Sequence, residues 1–144
     1  MKNHGKSELR QGTLPRLLGY RLRLAQQAVF RDFAASVEGI SPGRIGVLVL
    51  IDANPGVTQS RLAEAVRRDR STMVGVLDEL EKRGLVERRR GEDRRTNSLT
   101  LTLAGRAFLG RALRQVAAHE RRIAARFTRA ERAQLIALLE KVGE

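Results

Sequence analysis

Apolar residues recur along this chain at two spacings. In "TLPRLLGYRLRLAQQAVFRDFAASV", from Thr13 to Val37, Leu14, Leu17, Leu18, Leu22, Ala25, Val29 and Phe33 follow one another mostly at intervals of three and four. That period puts them on one face of a helix. The stretch predicts about six turns, with Thr13 as the cap and Pro15 inside the first turn, where its missing donor does no harm. So long an apolar face on so small a chain must bury against something beyond the chain itself. A second copy is the natural candidate.

The same logic repeats downstream. In "ISPGRIGVLVLIDANPG" Ser41 caps a second helix, Pro42 takes its first position and "ANPG" ends it. A short helix is expected from Thr58 to about Val66, and another in "RRDRSTMVGVLDELEKRG", capped by Asp69 and stopped by Gly84. Met73, Val76, Leu77 and Leu80 give the latter a single stripe. The period then changes to two. Leu99, Leu101 and Leu103 alternate with polar residues, so Leu85 to about Arg90 and Ser98 to Thr102 should pair as strands. Thr102 caps a long helix to about Arg126. "TRAE", Thr128 to Glu131, is a capping box that opens a last helix, whose apolar face is Leu135, Ile136, Leu138, Leu139 and Val142.

A short helix, a tight turn, a second helix and then a hairpin is the order of a winged helix-turn-helix. The expected fold is therefore mainly α with a small two- or three-stranded β-wing, flanked by N- and C-terminal dimerisation helices. Within one domain overall, residues 1–12 are read as a flexible N-terminus and 13–40 as the N-terminal dimerisation helix. Residues 41–103 form the DNA-binding lobe and 104–144 the C-terminal dimerisation helices.

Composition and charge sharpen this picture. With four Phe, one Tyr and no Trp, the core must be Leu, Val, Ile and Ala, which suits packed helices. The formal net charge is +12, and only four of the 28 basic residues are lysines. Arginine carries a planar fork that matches phosphates and guanine edges, so the surplus points to double-stranded DNA. The absence of cysteine excludes disulfides, thiolate metal sites and thiol redox sensing. No apolar run approaches the roughly 18 residues of a membrane span. "MKNHGKSELRQG" lacks the apolar core of a signal peptide, so no membrane partner and a cytoplasmic location are expected. His4 and His119 have no ligand spacing, so neither a metal nor a cofactor is expected. No nucleophile–base pair or phosphate-cradling glycine loop speaks for an enzyme.

In a winged helix-turn-helix the second helix lies in the major groove, and the hairpin tip grips the neighbouring backbone or minor groove. With the Met73 stripe turned inward, Arg70, Ser71, Thr72, Val74 and Gly75 face outward near the helix's partly positive end. Val74 suits a thymine methyl, and Gly75 lets the backbone come close. Ser60 and Arg61 join them as candidate DNA contacts. In "LVERRRGEDRRTNSLTLT", Arg88, Arg89 and Arg90 rise on the first strand, and Arg94 and Arg95 follow Gly91 at the tip. A narrow minor groove takes up such side chains. Asp93, a carboxylate where DNA should repel one, reads as a strut that pairs with a nearby arginine.

Here a family resemblance becomes specific. "DRRTNSLTLT" fits D-x-R-x-x-x-L-x-L-T, the wing signature of the MarR family of bacterial transcription regulators. "LAEAV…DRSTMVGVLDELEKRGLVERR" resembles that family's helix-turn-helix and "LTLAG" its wing exit, the likeness spanning about residues 14 to 142. The resemblance implies an obligate homodimer, joined by the first and last helices, on a pseudo-palindromic operator. It implies that Arg95 reaches the minor groove and that Asp93 braces the wing. It also implies a repressor released by a small molecule, often an aromatic acid or its thioester, that enters a cleft between the dimer helices and the DNA-binding lobe. The chain departs from the pattern at Val74 and Gly75, where many relatives have a polar residue followed by arginine. Base reading there should rest more on shape and apolar contact. Without cysteine the thiol-oxidation switch of part of the family is closed to this chain. Arg16, Tyr20, Arg23, Arg44, Arg106 and Arg111 are candidates to hold an anionic effector, an acyl-CoA included, although each also reads as a surface or interhelix residue. The competing reading is an architectural or RNA-binding basic protein without a small-molecule response.

Overall fold

The computed structural model describes residues 9–91 and 96–144. Asp93, Arg94 and Arg95 therefore lie outside the described residues, as does most of the segment expected to be a flexible N-terminus.

The first helix does not run unbroken from Thr13. A 3-10 turn, Leu14–Arg16, comes first, Leu17 is extended (φ −85°, ψ 125°), and only then does α1 (Leu18–Ser36) begin. Thr13 makes no side-chain cap. The proline explains the break. Pro15 has no amide hydrogen, so the turn closes over short range, from the Arg16 amide to Thr13 O and from the Leu17 amide to Leu14 O, both 3.0 Å. The Pro15 carbonyl accepts instead from Arg21 Nε at 2.8 Å.

Four side-chain caps then set the helix starts. Ser41 opens α2 (Pro42–Ala53), Thr58 opens α3 (Gln59–Ala65), Asp69 opens α4 (Arg70–Lys82) and Thr102 opens α5 (Leu103–Ile123). Each accepts a backbone amide that would otherwise lack a partner. Thr128 does the same for α6 (Arg129–Gly143). The strands are β1 (Val57–Thr58), β2 (Val86–Arg89) and β3 (Ser98–Leu101). β3 is central and antiparallel to both neighbours, with Val86 opposite Leu101 and Val57 opposite Leu99. The two-residue strand β1, placed between α2 and α3, has no periodicity by which a pattern could announce it.

The core lies inside the helix-turn-helix. Leu48, Ile51, Leu62, Met73, Leu77, Leu80 and Leu99 are fully enclosed, each worth about 1.5–3 kcal/mol on burial. α5 is joined to this lobe at the carboxyl end of α4. Gly84 turns left-handed there (φ 73°), and the Thr102 hydroxyl donates to its carbonyl at 2.6 Å while accepting from the Gly105 amide at 2.9 Å. A Cβ on Gly105 would stand 2.0 Å from the Leu85 carbonyl oxygen, so only glycine fits. Arg83 lies over the Phe108 ring at 5.2 Å.

The outer helices are built differently. α1 is pinned to α5 by a polar knot. His119, 2% exposed, has its Nδ1 2.6 Å from Asp32 Oδ1, and its ring meets Phe33 edge-on at 5.4 Å. Arg122 reaches both Asp32 oxygens and the Ser36 hydroxyl, and Ser36 in turn donates to Asp32. Hydrogen bonds from Arg122 first, then His119, hold the Asp32 carboxyl at about 2, below its ordinary 3.8. α6 buries nothing: Leu135, Ile136, Leu138, Leu139 and Val142 are 39–53% exposed. A groove of about 520 Å³, lined mainly by apolar side chains, opens between α6, α1 and the end of α5. No helix of the described residues is long and apolar enough to cross a membrane.

Candidate nucleic-acid interface

The amino end of α4 is built around Asp69. Its Oδ1 accepts from the Thr72 amide and from the Ser71 hydroxyl, both at 2.7 Å. The Thr72 amide first, then Ser71, hold the carboxyl at about 2 against the usual 3.8. This refines the role expected of Ser71, whose hydroxyl hydrogen is committed to the cap and is not free for a phosphate. Arg70, Thr72, Val74 and Gly75 stand exposed on the same outward face, and Met73, Val76, Leu77 and Leu80 close the inward one. Nothing lies within 4 Å of the point a Cβ would occupy on Gly75. A flat surface can therefore approach the backbone there. On α3, Arg61 is exposed and Ser60 is half-buried.

Beside α4 the wing forms the second wall of a polar groove of about 540 Å³. Val74, Asp78 and Glu81 line one side, and Arg88, Arg90 and Asn97 the other. The groove corrects one expectation. Arg88, expected as a free DNA contact, is engaged by a carboxylate of α4. Its side chain is only 16% exposed, with Nη2 2.9 Å from Asp78 and Nε 3.8 Å from Glu81. Arg88 pairs with Asp78 by a charged hydrogen bond and stands near Glu81, offsetting part of their negative charge while bracing β2 against α4. Arg89 (3.9 Å from Glu87) and Arg90 remain exposed. At the base of the tip, a Cβ on Gly91 would fall 2.0 Å from the Thr96 hydroxyl. The two arms are pinched together at that point, and glycine is required.

Sequence reasoning missed two residues here. Asn97 is 8% exposed, and its Oδ1 finds no partner, as is true of Gln59 Oε1 beside it. The Gln59 amide donates to the Asn97 carbonyl at 3.1 Å, joining the start of α3 to the foot of the wing. Nothing local in "TNSL" or "TQSR" announces that meeting of residues 38 positions apart.

The residues expected to hold an anion are not brought together. Arg16, Arg106 and Arg111 are exposed and do not line the cavity that Arg44 borders, and Arg23 covers the Tyr20 ring at 5.4 Å. Arg44 alone borders a cavity, of about 210 Å³, that lies between α1, the start of α2 and α4. Phe30, Val47 and Val76 form its apolar side, Arg44 and Arg68 its cationic one. Arg44 is held by Glu79, with Nε and Nη2 at 2.9 and 2.5 Å from Oε2. Arg68 was not foreseen. It stands in the turn before α4, and its Nη2 lies 3.1 Å from where a Gly43 Cβ would be. Among the described residues no group of acidic, histidine or cysteine side chains is placed to hold a metal ion.

Residues 40–96 match the model of the MarR family. A transcriptional regulatory protein for the hcr operon of Thauera aromatica is 40% identical over 144 residues, covering 97% of this chain and 87% of that one. Among solved structures, the transcriptional repressor CouR bound to a 23-mer DNA duplex superposes with a TM-score of 0.90 at 42% identity, over 96% of this chain and all of that one. CouR bound to p-coumaroyl-CoA gives 0.88 at 40% identity, over 95% and 99%.

Proposed function

The chain belongs to the MarR family of transcription regulators, and on that premise we propose that it is a dimeric repressor released from a pseudo-palindromic operator by a small aromatic anion. α4 enters the major groove with Arg70, Thr72, Val74 and Gly75 toward the bases and phosphates. The wings clasp the flanking backbone through Arg90, Arg94 and Arg95, with Asp93 bracing the tip. One observation carries this reading. Val74 on the outward face of α4 and Arg88 and Arg90 on the wing border a single groove in which Arg88 pairs with Asp78 and Arg90 is left exposed. Such a surface accepts a polyanion.

The effector site is the cavity between α1, α2 and α4. At about 210 Å³ it holds an aromatic ring and its carboxyl function, not a whole coenzyme A. An aryl-CoA thioester would seat its ring against Phe30, Val47 and Val76 and leave the nucleotide outside, within reach of Arg68. A relative of 40% identity that binds p-coumaroyl-CoA supports that chemical class. A ligand wedged there shifts α4 against the outer helices, so that two recognition helices no longer match successive grooves.

Footprinting with the purified protein on its own upstream region tests the reading. One protected palindrome, lost on adding an aryl-CoA, is the expected result. Uniform protection along the probe, indifferent to ligand, would replace it with the architectural one. Arg95→Ala should weaken binding to every duplex and flatten its salt dependence by about one unit of slope. An unchanged affinity across a salt series would remove the wing from the mechanism.

A further inference from the structure

We propose that Arg67 is a positioning residue: it fixes the direction of the recognition helix by tying the turn in front of α4 to the carboxyl end of α6. Arg67 Nη1 donates to the Gly143 carbonyl at 2.6 Å, across 76 residues of sequence. Its backbone is left-handed (φ 52°), and among the described residues it is the only non-glycine in that state. A residue with a Cβ adopts that conformation when its surroundings hold it there. The turn is held on both sides, the Arg67 amide donating to Glu64 O and the Arg68 amide to Ala63 O, each at 3.0 Å. Two residues on, Asp69 caps α4.

The mechanical argument is one of anchors. At its carboxyl end α4 is fixed to α5 through Gly84, Thr102 and Gly105. Met73, Leu77 and Leu80 seat this 13-residue helix in the lobe core, so what its two ends decide is its bearing relative to the outer helices. Arg67 supplies the second anchor, about 20 Å away at the amino end, where the bases are read. The α6 it holds is the helix whose apolar face lies open for a partner. A recognition helix fixed to α6 inherits the spacing of the dimer. Arg68, the next residue, lines the cavity beside it, so an anion drawn to Arg68 pulls on the same turn that Arg67 restrains.

This inference rests on the dimeric operator reading, and the test separates the two. Affinity is measured on the operator and on duplexes with one base pair added or removed between half-sites, a change of about 3.4 Å and roughly 35°. The wild-type protein should lose about tenfold on either altered duplex, and Arg67→Ala should bind all three within about threefold. Arg67→Lys keeps a donor and should restore the spacing preference. Arg67→Gly suits the left-handed backbone but cannot donate. It should fold at least as well as the wild type yet bind like Arg67→Ala, which separates the tie from backbone strain. Arg67→Ala and Arg67→Gly dimers that keep the wild-type spacing profile would overturn the proposal. A wild-type protein indifferent to spacing would instead overturn the operator reading beneath it.

Discussion

The helix-turn-helix lobe and the outer helices treat their apolar residues in opposite ways. In the lobe Leu48, Leu62, Leu77 and Leu99 are sealed within a single chain, and the polar residues around them are spent on caps. On α6 and the start of α1, Leu17, Leu18, Leu135, Ile136 and Leu139 stay open to solvent. What fixes α1 to α5 is a partly exposed knot of charge and hydrogen bonds in which Asp32 meets the buried His119 and the exposed Arg122. The lobe is complete as one copy. The outer helices, with a groove of about 520 Å³ lined mostly by carbon, are complete only with two. The lobe thus satisfies its apolar residues within one chain, with Phe33, Leu109 and Ala112 of the outer helices helping to close its core, while α6 leaves its own face open.

The contrast can be broken most severely at α6. Leu135→Glu with Leu139→Glu puts charge in the open groove and should leave a folded monomer by sedimentation. Its operator affinity should fall by about a hundredfold or more, because the second half-site is no longer delivered by linkage. A dimer that survives this change would assign the interface to another face. Next in size is a change confined to the lobe. Gly105→Ala forces a Cβ to within 2.0 Å of the Leu85 carbonyl and should cost about 3 kcal/mol in denaturant unfolding, with the dimer otherwise intact. An unaltered midpoint would mean that α5 is not locked to α4 at this point.

The smallest effect is a titration that compares the two regions directly. Asp32 in the outer helices and Asp69 in the lobe are both held at about 2, below the ordinary 3.8. The unfolded chain therefore takes up protons first. The stabilisation is complete above about pH 4 and is lost as the pH falls toward 2. Asp32→Asn should remove part of that acid sensitivity from the α1–α5 contact, and Asp69→Asn a separate part from the start of α4. Identical acid unfolding in wild type and both variants would show that neither carboxylate is differentially protonated on folding.

The sequence displayed what local chemistry decides. Ser41, Asp69, Thr102 and Thr128 are legible as caps because a hydroxyl or carboxylate needs only the amides of the next turn. The stripe of α4 and the glycine at 84 were legible for the same reason, and with them the winged helix-turn-helix. Meetings over long separations were not. Asp32 and His119 lie 87 residues apart and Arg67 and Gly143 lie 76 apart, and no period links them. The pairing of Arg88 with Asp78 was hidden for the same reason, because the carboxylate belongs to the facing helix. Arg68 was hidden because a cavity wall belongs to three helices at once.

α5 has a further mechanical consequence. Twenty-one residues make a rod about 31 Å long. One tip is welded to the DNA-reading unit by a glycine that admits no slack, and the other ends beside the open groove. A tilt of roughly 6° at the far tip moves the near one by about 3 Å, the rise of one base step. A lever of that ratio couples a small tilt beside the open groove to a displacement of one base step at the other end of the rod.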